Sequence, residues 1–125
     1  MKLDYNYLRD VMIAIEAAER RVTTRLRIDG LIQSSPTLQK HSLEETYFVL
    51  TQLEDAKLAD VVTSAAMDAD IGQLTFAGNE FLNNIRSDKV WKSVLTKVAK
   101  TAGSASLTIV ANLAQLEMSK RLGLN

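Results

Sequence analysis

The sequence predicts a mainly α, α+β fold, and three observations carry that prediction. One proline and five glycines in 125 residues leave long stretches free for helices. Apolar residues recur at helical spacing through most of the chain, whereas only short segments show the alternation or the β-branched runs of strands. A hydrophobic content of 46% with 24% charged residues is ordinary for one globular domain, long enough to hide about two-thirds of its unfolded surface.

The first helix starts at Asp4, whose carboxylate can accept an amide N–H of the first turn. Leu3 before this cap and Leu8 after it fit a hydrophobic staple, and Leu8, Val11, Met12, Ile15 and Ala18 share one face. The pattern stops near Arg20 and Arg21. Residues 24–28, Thr-Arg-Leu-Arg-Ile, alternate polar and apolar like a half-buried strand, and Asp29-Gly30 reads as a turn. The polar stretch from Gln33 to His41, with Ser34-Ser35-Pro36, is loop or one short helical turn.

Ser42-Leu43-Glu44-Glu45 is a capping box and opens a second long helix. Leu43, Tyr47, Leu50 and Leu53 are expected on its inner face. Glu44, Glu45, Phe48, Gln52 and Asp55 are expected on the outer one. The valine-rich run Leu58–Thr63 and the run Ile71–Leu74 read as a hairpin with a loop from Ser64 to Asp70. Thr75 caps a third helix, with Phe76, Phe81, Leu82 and Ile85 pointing inward and Gly78 allowing a close backbone approach. After Ser87-Asp88 a fourth helix divides into an apolar side, Val90, Trp91, Val94, Leu95 and Val98, and a basic side, Lys89, Lys92, Thr96 and Lys100, with Lys97 at its flank. Gly103 ends it, Ser104 or Ser106 caps a fifth, and Gly123 follows that one.

Helix, strand, loop, helix, two-stranded hairpin, helix is the order of a winged helix. The leucine-spaced stretch Tyr47–Leu58 resembles the end of its third helix leading into the wing. The segment Leu74–Trp91 is similar to the signature of a phage-associated family catalogued as a domain of unknown function: Leu-Thr, then Gly78, Phe81-Leu82, Arg86, Asp88 and Trp91. Leu3-Asp4 with Leu8-Arg9-Asp10, and the closing Leu122-Gly123-Leu124, extend the resemblance over nearly the whole chain. It implies a winged-helix core, here residues 1–86, with a small antiparallel sheet. Two C-terminal helices over residues 87–125 pack on that core in a single domain. It also implies a prophage or bacterial source and no assigned activity. The family's helix usually ends in glycine where this chain has Lys57, so a different C-cap is expected. The family also often has histidine where Phe48 and Asn79 stand.

Several classes of chemistry are excluded as readings. Without cysteine there is neither a disulfide framework nor a thiolate metal site. His41 is the only histidine and reads as a polar residue before the Ser42 cap, not as part of a triad. No glycine-rich phosphate loop occurs. Asp68 and Asp70 open a calcium-like spacing, but its twelfth position is Asn79. The expectation is a non-enzyme without cofactor, metal or small-molecule substrate. With no apolar run longer than Val11–Ile15, it is also expected to be cytoplasmic and off the membrane.

Two kinds of partner remain: double-stranded DNA, or protein, including a second copy. For DNA, the groups around the usual recognition helix are Arg20, Arg21, Arg25, Arg27, Gln39, Lys40, His41 and Thr46. Against it, residues 37–82 hold two bases and eight acids, and the hairpin loop has no Lys or Arg. Residues 83–125 hold seven bases and two acids, so Lys89, Lys92, Lys97 and Lys100 form an alternative basic face. For a protein partner, Glu44, Glu45, Phe48, Gln52 and Asp55 form the candidate interface, Phe48 being an aromatic among polar residues. The opposite charges of the middle and tail are either complementary surfaces for self-contact or two solvated faces.

Overall fold

The computed structural model describes residues 2–18, 24–100 and 106–123. Among them are α1 (Tyr5–Ala17), β1 (Leu26–Arg27), α2 (Ile28–Gln33), a 3-10 turn (Leu38–Lys40), α3 (Leu43–Asp55), β2 (Ala59–Ser64), β3 (Asp68–Leu74), α4 (Phe76–Ile85), α5 (Asp88–Ala99) and α6 (Leu107–Arg121). The fold is mainly α with a small antiparallel sheet of order β1-β3-β2. The chain forms two compact units, Met1–Gly78 and Asn79–Asn125, so the division falls inside α4, earlier than residue 86.

In the first unit the local signals act as expected at most helix ends. Asp4 Oδ1 accepts from Tyr7 N at 3.1 Å, and Leu8, Val11, Met12 and Ile15 are fully buried. The Ser42–Glu45 capping box is complete: Ser42 Oγ accepts from Glu45 N, and Glu45 Oε1 accepts from Ser42 N. Thr75 Oγ1 accepts from Gly78 N and donates to Lys57 O. A Cβ on Gly78 would overlap the Leu58 carbonyl oxygen, so glycine is required for α4 to meet the end of α3.

Four expectations need correction. The strand at residues 24–28 shrinks to Leu26–Arg27, and Asp29-Gly30 lies inside α2, not in a turn. Ile28 and Leu31, one helical turn apart, are both buried, and their burial outweighs the local turn preference. The inner face of α3 is Thr46, Val49, Leu50 and Leu53, while Leu43 lies largely in solvent. The hairpin loop is only residues 65–67, because Ala66 and Met67 take φ of 68° and 57° and let Ser64 pair with Asp68. Phe76 is 80% exposed; at 100° per residue it points opposite the side of α4 that carries Phe81, Leu82 and Ile85, which are buried.

The C-cap at Lys57 also differs from expectation. Leu58 N donates to Leu53 O at 3.0 Å and Lys57 N to Glu54 O at 3.1 Å, which is a Schellman motif. Lys57 itself has φ 59°, so a lysine occupies the left-handed position that glycine usually takes.

In the second unit Ser87 caps α5 and Ser106 caps α6, each accepting an amide N–H of the first turn. Val90, Trp91, Val94 and Val98 of α5 and Leu107, Val110 and Ala114 of α6 are buried, and the two helices pack together. The expected stop at Gly103 and cap at Ser104 lie outside the described residues; α5 has its C-cap at Lys100.

Candidate nucleic-acid interface

The residues expected to meet DNA around α3 are largely engaged within the protein. Arg25 Nη1 lies 2.6 Å from Asp60 Oδ2, and its Nε donates to Asp70 Oδ2 at 2.9 Å. These bonds, to Asp60 first and Asp70 second, push the guanidinium pKa up. Gly72 makes room for this fork, since a Cβ there would stand 2.5 Å from Asp60 Oδ2. Arg27 pairs with Asp68. Three carboxylates that made the middle of the chain look strongly acidic are thus matched by two arginines from β1 and its approach.

His41 stacks on Tyr7 with ring centroids 3.7 Å apart, and its Nδ1 lies 3.0 Å from Glu45 Oε2. That bond, with those from Ser42, holds the Glu45 carboxyl below the usual carboxylate range. Thr46 must be struck from the DNA-facing set: it is fully buried. Its hydroxyl donates to Ser42 O at 3.0 Å, so the 2.6 Å bond with Tyr7 is donated by the tyrosine. Gln39 donates to Gln33 O, and Lys40 is exposed. Arg20 and Arg21 lie outside the described residues.

The protein-facing set on α3 is mixed. Glu44 and Asp55 are exposed, but Glu45, Phe48 and Gln52 are half-buried. Phe48 is therefore not the solvent-exposed aromatic the periodicity suggested. The rotation of the inner face towards Thr46 and Val49 brings Glu45 and Gln52 nearer to it, whereas Phe48 stays about 150° from its centre.

The alternative basic residues come together. Lys89, Lys92, Lys97 and Lys100 line one groove of about 530 Å³ with Ser93, Thr96 and Arg121, so no carboxylate is among its lining residues. On α5 the positions of Lys89, Lys92, Thr96 and Lys100 fall within about 80° of arc, and Lys89 and Lys100 stand about 17 Å apart along the axis. Lys89, Lys92 and Lys100 have no ion-pair partner among the described residues. Lys97 and Arg121 do: Lys97 Nζ lies 2.8 Å from Glu117 Oε2, and Arg121 Nη2 lies 3.3 Å from Glu117 Oε1. Lys97, then Ser93 and the charge of Arg121, hold the Glu117 carboxyl below the usual range despite its burial.

Glu117 and Arg121 were not among the expected site residues. Their i,i+4 spacing was available, but α6 is apolar on several sides, so no phase could be read from it. Chemically the groove presents three ammonium groups without an ion-pair partner among the described residues and can hold several phosphates of a polyanion.

These features define a small α+β protein with a basic groove between two C-terminal helices. The chain belongs to the family described as Hypothetical protein (DUF2513), which matches residues 2–105. All four groove lysines lie in the matched segment, and Glu117 and Arg121 lie beyond it. No curated protein and no solved structure matches the chain. Among the described residues no helix is long and apolar enough to cross a membrane.

Proposed function

We propose that this protein is a non-enzymatic DNA-binding protein of regulatory, phage type that holds the duplex through the basic groove of α5 and α6. The observation that carries the reading is the set of three lysines, Lys89, Lys92 and Lys100, that line one groove and have no ion-pair partner among the described residues. The order α1-β1-α2-α3-β2-β3 supports it as the order of a winged helix, a fold whose third helix ordinarily enters the major groove. Here that helix and the strand β1 with its approach offer little to phosphate, since Thr46 of α3 is buried and Arg25 and Arg27 are paired with aspartates. The tail takes over the electrostatic part of binding. Lysines act as point charges and carry no base code, so the contact is with the backbone and is largely independent of sequence.

Titration of a mixed-sequence duplex at several salt concentrations tests this reading. Three engaged lysines give a slope of log K against log salt of about −2.7. Lys89→Gln/Lys92→Gln/Lys100→Gln removes most of the binding, while Gln39→Ala/Lys40→Ala leaves the slope within about 0.9 of wild type. No binding by the wild type at low salt defeats the proposal.

A further inference from the structure

Two of the groove's cations are held by a carboxylate that is not itself among the lining residues. Glu117 is only 8% exposed, yet its two carboxylate oxygens hold two different groove cations, Lys97 through Oε2 and Arg121 through Oε1. Those cations are far more open than the carboxylate between them, with 40% and 41% of their side-chain surfaces accessible. A buried carboxylate that bridges two half-exposed cations does to them what a bound phosphate would do: it satisfies their donors and cancels charge. Apart from Glu117, no acidic residue is paired with a groove cation among the described residues.

We infer that Glu117 sets the strength of this groove by occupying Lys97 and Arg121 in place of a backbone phosphate. Duplex DNA then meets three lysines and not five cations. Arg121 is the one groove residue whose planar fork could make bidentate contacts, and it is withheld from the nucleic acid. Weaker binding is the consequence of the carboxylate, and neutralising it converts the groove into a stronger polyanion site. The inference rests on the reading of the groove as the phosphate-binding surface.

Wild type, Glu117→Gln, Lys97→Met and the double variant are titrated with the same duplex across a salt series, with a thermal melt of each. Glu117→Gln keeps the volume and removes the charge, and the two freed cations can reach solvent, so the fold has no buried charge left bare. The expected result is a slope steeper by one to two units, towards about −4.5, with affinity at low salt raised about fivefold or more. Adding Lys97→Met to Glu117→Gln takes back about half of that steepening. A Glu117→Gln protein that melts like wild type and binds with an unchanged or shallower slope overturns the inference. Should Glu117→Gln fail to fold, single variants decide. Lys92→Gln then flattens the wild-type slope by about 0.9, and Arg121→Gln by less than half as much. Equal losses from the two overturn the inference.

Inorganic tripolyphosphate separates this inference from the reading beneath it. If the wild type binds no duplex, the DNA reading falls, and the same comparison of Glu117→Gln with wild type is made on tripolyphosphate. Tighter binding by the variant supports the role of Glu117, and no binding by either protein overturns it.

Discussion

Tyr7 and Thr46 show how a single pair of hydroxyls fixes the phase of a helix. Tyr7 is 2% exposed, Thr46 is fully buried, and the donor chain runs from Tyr7 to Thr46 to the Ser42 carbonyl. The two ends of this chain are unequal. Tyr7→Phe removes the first donor and leaves Thr46 still bonded to Ser42 O, a loss of about 1 kcal/mol. Thr46→Val keeps the shape but strands the buried tyrosine hydroxyl, a loss of about 2 kcal/mol. Urea unfolding of the two variants checks the order, and Tyr7→Phe being the worse of the two would sink the donor assignment. Lys57 offers the opposite opportunity. It holds φ 59° at the position after the α3 C-cap, where a Cβ is disfavoured. Lys57→Gly is expected to raise stability by about 1 kcal/mol, read as a higher urea midpoint with unchanged m value. Neither residue's role was legible in the sequence. Threonine counts as polar in any periodicity, so Thr46 could not announce itself as core, and a lysine gives no sign that it accepts a left-handed backbone.

At the scale of elements, legibility followed the strength of local chemistry. The starts of α1, α3 and α4 could be read because Asp4, Ser42 and Thr75 each supply an acceptor to an otherwise unpaired first-turn amide. α2 could not, since Asp29-Gly30 is also a turn signal and the burial of Ile28 and Leu31 decides for the helix. The junction of α3, β2 and α4 lies between these cases. Gly78 was legible as a close approach, but its partner, the Leu58 carbonyl, becomes visible only in the fold. Two glycines make the distinction testable. Gly78→Ala drives a Cβ into backbone oxygen that also accepts from Thr75 N at 3.0 Å, so neither side can yield. A loss of about 3 kcal/mol or more is expected, with Tm lower by roughly 10 °C. Gly72→Ala meets only the tips of Asp60 and Arg25, which can swing into solvent, and its cost stays near about 1 kcal/mol. Thermal melts giving equal losses for the two would contradict this picture of the α4 junction.

Over the whole molecule, the candidate site was half legible: the lysine face of α5 is written in its spacing, but the carboxylate that neutralises part of it comes from α6, where apolar residues face both inward and outward. Leu107 and Val110 are buried while Ile109 and Leu116, on the opposite face at 100° per residue, are exposed, so apolar residues on both faces leave the sequence no contrast from which to choose the inner one. The formal charge of zero likewise hides a division that the structure partly cancels, with Arg25 and Arg27 set against Asp60, Asp70 and Asp68. This pairing dictates the response to acid. Glu117, Asp60 and Glu45 are held below their ordinary pKa by Lys97, Arg25 and His41 respectively, each through a hydrogen bond to the carboxylate. A carboxyl lowered in the fold stabilises it fully above the unfolded-state value, and that contribution is lost as pH falls through the lowered value. Asp10 has the opposite sign: burial raises it, so its charged form is disfavoured at neutral pH and the penalty is relieved on acidification. Among the described residues, three lowered carboxyls against one raised make Tm fall as pH drops below about 4.5, while fifteen uncompensated bases add self-repulsion. The share of each pair follows its access to water. The Asp60 side chain is 58% exposed and is screened, whereas that of Glu117 is 10% exposed and is not. Glu117→Gln is therefore expected to flatten the fall of Tm between neutral pH and pH 3 more than Asp60→Asn does. Melts across that range decide it, since a steeper or unchanged fall in Glu117→Gln would mean that the buried pair contributes nothing to folding.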